Sequence, residues 1–245
     1  MVELASTLER IRTAETTMDL WHIMLDYLHG EGVKMASYHL VTPDAEQVAV
    51  ATDGYPEEWT CKYIEEKLVL VDPIPELASK LARPFYWHEI RDLVPTSSPA
   101  ANRYLRARED AKFGDGLAFY VFGPALRNAY VGLGFGVDRI ELPPAKVFEL
   151  QCVAQAGHLR VCDLTPLPDE APVLTKREAE ILGWAARGKS NAVISGILQI
   201  SAHTVDTHMR NIYSKLDVTD RTSAVLRGVG QGIIQYPKTT TGITG

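Results

Sequence analysis

The stretch LTKREAEILGWAARGKSNAVISGILQISAHTVDTHMRNIYSKLDVTDRTSAV, residues 174–225, decides the fold of the C-terminal part of the chain. It opens on a capping box, in which Thr175 can accept the Glu178 N–H, Glu178 can reach back, and Leu174 is placed to staple onto Ala179. The helix begun there ends at Gly188, a natural left-handed cap after Arg187. Ser190 then caps a short second helix through Leu198, and Ser201 caps a third. In that third helix Val205, Met209, Ile212 and Leu216 fall on one apolar stripe. The opposite face carries His203, Asp206, Thr207, Arg210, Asn211 and Ser214, short hydrogen-bonding side chains with one long cation, as a helix reading base edges needs. A fourth helix, about Asp220 to Ile233, completes an all-α four-helix unit. On pattern alone, a small helical docking module with a solvated polar face remains open.

The charge distribution separates this unit from the rest. Residues 173–235 hold eight basic and five acidic side chains, a balance of +3, whereas residues 1–172 hold 16 basic and 26 acidic, a balance of −10. The overall −6 therefore hides a module suited to a polyanion. With 46% apolar and 23% charged residues and no long apolar run, the 245-residue chain reads as two soluble domains without a membrane span. The start, MVELASTLERIRTAE, has neither the apolar core nor the cleavage site of a secretory signal, so a cytoplasmic protein is expected. Cys61, Cys152 and Cys162 form no CxxC or Cys/His cluster, so neither a disulfide framework nor structural zinc is expected.

Residues 163–173 contain three prolines and three acids, so the stretch reads as an interdomain linker through which no helix runs. The expected division is a sensor domain over 1–162, the linker over 163–173, the four-helix unit over 174–235 and a tail over 236–245. Upstream, Thr17–Leu28 has an apolar helical face with Gly30 as a stop. Strand-like runs follow at Val33–Thr42 and Gln47–Thr52. Helices are expected from Pro56, from Pro73 and near Ser98, strands at Gly116–Phe122 and Ala129–Val137, and a last helix from Pro144 to Val161. This order predicts an α+β fold: an αβα sandwich with a mostly antiparallel sheet, joined to the all-α unit. Neither a receiver-type alternation with its acidic pair nor a GxxxxGK loop is found in the first domain.

The segment from Gly54 to Tyr63 is followed by Leu70-Val-Asp-Pro73 and Arg83-Pro-Phe-Tyr-Trp87. Trp59 and Tyr63 share one face of a helix started by Pro56, with Tyr55 at its entrance. By spacing alone, Asp72 before Pro73 is equally a plain helix cap and Trp87 plain core.

Over its whole length the 174–225 stretch resembles the helix-turn-helix domain of the LuxR family of transcription regulators, whose signature positions fall on Glu178, Leu182 and Gly188. Asp217 stands where that family usually has glycine. The resemblance implies a recognition helix in the major groove, with His203, Asp206, Thr207 and Arg210 near bases and Lys189, Ser190, Ser201 and Thr204 on phosphates. Arg210 suits a bidentate guanine contact; Asp206 could accept from cytosine or only order Arg210. A unit of net +3 should bind weakly alone, so a homodimer on a palindromic promoter site is expected, acting with RNA polymerase.

The N-terminal segment resembles the autoinducer-binding domain of quorum-sensing LuxR-type receptors, with hallmark residues at Trp59, Tyr63, Asp72, Pro73, Trp87 and Gly116. That resemblance implies recognition of an N-acyl homoserine lactone and no catalysis, cofactor or metal. The Trp59 indole N–H suits the lactone carbonyl, the Asp72 carboxylate the ligand amide, and Tyr55 the acyl carbonyl, while Tyr63 and Trp87 wall the ring. Gly132, Gly134 and Gly136 alternate, which predicts one glycine face of a strand. Many relatives carry Ser or Thr at the position of Gly134, so the glycines point either to a roomier pocket or to a simple close packing of helix on sheet. Two alternatives stay open: a regulator of this architecture answering a non-lactone molecule or none, and an acyl-lactone enzyme. For the latter, His22, His29, His39, His88 and His158 offer no ligand spacing.

Overall fold

The computed structural model describes residues 3–41, 48–81, 83–166 and 174–234. These form two compact units, Met1–Thr165 and Pro166–Gly245.

The first unit is built on a five-stranded sheet of order β2-β1-β5-β4-β3, antiparallel at every pairing. Its strands are β1 (Met35–Val41), β2 (Val48–Asp53), β3 (Phe85–Tyr86), β4 (Gly116–Val121) and β5 (Asn128–Gly134). Side chains alternate between two faces, and each face has its own core. Leu117, Phe119, Val131 and Leu133 point to a layer made by α1 (Leu4–Thr13), α2 (Thr17–Gly30) and α7 (Pro144–Leu164). Ala118 and Tyr130 point the other way, toward α3 (Glu57–Glu65), α4 (Ile74–Leu81), α5 (Ile90–Leu93) and α6 (Pro99–Ala111). The αβα arrangement follows from this two-sided burial.

Local signals explain most of the helix starts. Thr16 accepts the Asp19 N–H at the start of α2, and Ser98 accepts the Ala101 N–H with Pro99 in the first turn of α6. Several boundaries differ from the sequence reading. Helix α1 was not expected: Leu4, Leu8 and Ile11 do recur at helical spacing, but the segment is too short to stand without α7 beneath it. Helix α7 continues to Leu164, so the first two residues of the expected linker are helical, and the Arg127 guanidinium secures that end by donating to the Cys162 carbonyl at 3.1 Å. Residues 167–173, Thr42, Gln47 and the expected tail lie outside the described residues. Pro56 occupies the N-cap of α3, one position earlier than the expected first-turn site. Strand β5 stops at Gly134, so Gly136, at φ +67°, is not on the glycine face with Gly132 and Gly134 but in the turn beyond.

The second unit consists of α8 (Lys176–Ala186), α9 (Asn191–Leu198), α10 (Ala202–Leu216) and α11 (Arg221–Gly230) around Ile181, Leu182, Ile194, Val205, Met209 and Ile212. Thr175 and Glu178 form the reciprocal box, and Ser190, Ser201 and Asp220 cap the other three helices. Asp217 takes the left-handed position after α10 at φ +51°, where Arg227 donates to its carbonyl and to that of Leu216. The fourth helix ends at Gly230, three residues short of the expected Ile233.

Candidate ligand cavity and nucleic-acid interface

Between the sheet and α3, α4 and α6 lies a cavity of about 650 Å3. Five of the eight residues expected at a ligand site line it: Tyr55, Trp59, Tyr63, Asp72 and Trp87. Helix α3 brings Trp59 and Tyr63 to one face with ring centroids 5.7 Å apart. The Tyr63 hydroxyl donates to Asp72 Oδ2 at 3.0 Å, and the Ile74 N–H donates to Asp72 Oδ1 at 2.8 Å. The carboxylate is therefore both a local cap for the start of α4 and a polar group in the cavity wall. Burial raises the Asp72 carboxyl to about 6, against the lowering influence of the Ile74 N–H, the Tyr63 hydroxyl, Arg108 and the Tyr104 hydroxyl. Tyr55 donates to Ser37 Oγ at 3.5 Å, and burial pushes its phenol up to about 12. The Trp59 indole N–H has no protein partner among the described residues, although its ring is 6% exposed and packs edge-on against Tyr104 and Phe113.

The remaining three expected residues stand behind the cavity wall. Pro73 gives its carbonyl to the Leu77 N–H at 2.9 Å. Gly116 and Gly134 face each other across the β4–β5 ladder, with Met35 opposite Gly134 on β1. A Cβ on Gly116 would stand 2.6 Å from the Trp87 ring and 2.5 Å from the Leu133 carbonyl oxygen; one on Gly134 would stand 2.6 Å from Met35 Cε and 3.0 Å from the Trp87 ring. The two glycines form a flat seat for the Trp87 indole. The expected extra room at Gly134 is thus absent, because Met35 and Trp87 occupy it.

The structure adds residues that the sequence reading did not single out. Ser37, His39 and Tyr130 reach the cavity from the sheet, and Tyr104, Arg108 and Phe113 from α6 and the turn after it. Strand alternation carried a signal for Tyr130, which shares the face of Gly132 and Gly134; the pair Tyr104 and Arg108, four apart on α6, carried another. His39, half-buried with its ring 5.1 Å from that of Tyr130, has its pKa lowered to about 4 by burial, so it is neutral at physiological pH. Three of the other histidines have separate local partners: His158 lies between Tyr38 Oη and the Arg127 carbonyl, His88 on buried Asp115 and His29 on Asp53.

In the second unit, the expected contact residues lie along α9 and α10. Lys189, Ser190, Ser201, His203, Asp206, Thr207 and Arg210 are exposed and Thr204 is half-buried. Ser190 and Ser201 are engaged as caps, and Ser201 Oγ also lies 2.8 Å from Thr204 Oγ1. Asp206 accepts from Asn191 at 2.5 Å and does not order Arg210, which instead donates to Thr207 at 3.3 Å. Arg221 donates to Asn191 Oδ1 at 2.8 Å and to the Lys189 carbonyl, tying the start of α9 to α11. Buried Glu178 accepts from Lys215 at 2.7 Å and from the Thr175 N–H at 2.7 Å. Burial alone would raise its carboxyl, but those hydrogen bonds hold it below the usual range.

Comparison with known proteins gives matches to both units. Residues 16–161 match the family described as autoinducer binding domain, and residues 172–227 match bacterial regulatory proteins, luxR family. The chain is 32% identical over 187 residues, 75% of its length and 74% of the relative's, to the HTH-type quorum sensing-dependent transcriptional regulator RpaR of Rhodopseudomonas palustris. It is 25% identical over 208 residues, 82% of its length and 79% of the relative's, to the transcriptional activator protein LuxR of Aliivibrio fischeri. Among solved structures, Escherichia coli SdiA aligns with a TM-score of 0.69 at 22% identity, covering 95% of this chain and 98% of that one. SdiA in complex with octanoyl-rac-glycerol aligns with a TM-score of 0.67 at 21% identity, covering 95% and 96%.

Proposed function

The chain belongs to the LuxR family of quorum-sensing transcription regulators, with an autoinducer-binding domain and a helix-turn-helix DNA-binding domain, and we infer that its sensor cavity binds an N-acyl homoserine lactone. The observation that carries this reading is the convergence, on one 650 Å3 cavity, of a donor-only indole without a protein partner, the Asp72 carboxylate and the Tyr55 phenol. The Trp59 N–H meets the lactone carbonyl, Asp72 accepts the ligand amide N–H and Tyr55 donates to the acyl carbonyl. Apolar lining at Ile74, Val69 and Leu70 takes the acyl chain, each buried CH₂ of which is worth about 0.8 kcal/mol. Pro73, Gly116 and Gly134 act indirectly, by starting α4 and by seating Trp87.

The C-terminal unit reads a palindromic promoter site as a homodimer and acts with RNA polymerase in the cytoplasm. Arg210 donates to guanine, with His203, Asp206 and Thr207 beside it, and Lys189, Ser190, Ser201 and Thr204 hold phosphates. Ligand burial completes the sensor core and stabilises the folded form by mass action. The test is mass spectrometry of what co-purifies from cells fed a panel of acyl homoserine lactones, with thermal melting in parallel. A bound lactone and a raised melting temperature are expected. Solved SdiA holds octanoyl-rac-glycerol, so recovery of a non-lactone acyl compound alone, or of none with no melting shift, would overturn the lactone assignment.

A further inference from the structure

One cation in the cavity wall is not used by the reading above. Arg108 lines the cavity at the Asp72 end, its guanidinium 5.0 Å over the Trp87 ring and 5.6 Å from that of Phe113. Its Nη2 donates to the Gly114 carbonyl at 2.8 Å. Its Nε is buried without a partner, and its Nη1 donates to no protein atom among the described residues. No carboxylate of the described residues stands within ion-pair distance of it. Asp72, which feels its charge, spends its oxygens on Tyr63, Tyr104 and Ile74. Among the described lining residues, two cations, Arg108 and the exposed Lys67, therefore face one carboxylate, and His39 is neutral.

Stacking on the Trp87 and Phe113 rings offsets only part of the cost of desolvating this half-buried guanidinium, whose Nε and Nη1 have no acceptor among the described residues, and a neutral lactone brings no counter-charge. A carboxylate does, through a charge-assisted hydrogen bond from Nη1. Resting on the same reading of the cavity, we propose that the head-group end accepts N-acyl amino acids with a free carboxylate, ring-opened N-acyl homoserine among them, and that Arg108 is the residue that selects them. The acid keeps the amide N–H for Asp72 and the acyl carbonyl for Tyr55, and it adds one negative charge to a wall that carries a formal excess of one positive.

The experiment is calorimetric titration of the full chain near neutral pH with a matched pair, N-octanoyl-L-homoserine lactone and sodium N-octanoyl-L-homoserine, on wild type, Arg108→Gln and Arg108→Lys. In wild type the acid is expected to bind at least as tightly as the lactone. Arg108→Gln should weaken the acid by about tenfold to a hundredfold and the lactone by less than about threefold, whereas Arg108→Lys should keep part of the preference. Binding of the lactone without the acid, or equal weakening of both in Arg108→Gln, overturns the proposal and leaves the lactone reading standing. Failure of wild type to bind either compound overturns both. The wild-type comparison decides even where a variant does not fold.

Discussion

Adding a single methyl group at Gly116 should disable the sensor while leaving its chemistry nominally intact. The backbone there is ordinary extended strand, so alanine meets no conformational penalty and the whole effect is steric. The new Cβ would sit 2.5 Å from the Leu133 carbonyl oxygen, which belongs to the paired strand and cannot retreat without breaking the ladder. It would also sit 2.6 Å from two atoms of the Trp87 ring, whose free direction is into the cavity. Overpacking of this kind costs about 1–3 kcal/mol, and a rigid neighbour places it toward the upper end. For a unit of this size that lowers the melting temperature by roughly 2–12 °C. Gly134→Ala is the internal control, because its nearest contact is the flexible terminus of Met35; it should cost about 1 kcal/mol or less. Near-UV circular dichroism melts report the aromatic cluster directly, and lactone titration reports the cavity. A Gly116→Ala protein that melts with wild type and binds lactone with unchanged affinity would refute the idea that the glycine pair seats the indole.

Three other outcomes follow from the same geometry. Because burial raises Asp72 from 3.8 to about 6, the folded unit favours the protonated acid, so the ligand-free sensor should lose stability as pH rises from about 4 to 6. Urea denaturation at stepped pH should show this slope in wild type and not in Asp72→Asn; equal slopes would sink the assignment. In the DNA-binding unit, Glu178→Ala removes the acceptor of Lys215 and of the Thr175 N–H and should cost about 1–3 kcal/mol in a melt of the C-terminal transition, with no loss contradicting the role given to the box. Arg210→Ala should lose about 1–3 kcal/mol at one guanine of the operator and little at other positions, as read by fluorescence anisotropy on base-substituted sites; uniform weakening on every sequence would make it a phosphate contact.

Much of this protein was decided by local chemistry. The capping box at Thr175 and Glu178, the Ser190 and Ser201 caps and the stripe from Val205 to Leu216 specify the four-helix unit because each signal acts within one or two turns of backbone. The spacing of Trp59 and Tyr63 likewise needs only a helix to put two rings on one face. Long-range proximity is different in kind. Nothing within a few residues of Gly134 says that Met35 fills the space beside it, since that follows from the β1–β5 register. Helix α1 acquires its reason to exist from α7, more than a hundred residues away. Arg108 reads in sequence as one cation on a charged helix, and only the packing of α6 against the Trp87 ring makes it a half-buried charge with an unpartnered Nε and no ion pair among the described residues. Caps and periodicity are properties of short segments and survive in a one-dimensional reading, whereas cavity volume, desolvation and unpaired charge exist only once distant segments have closed around them.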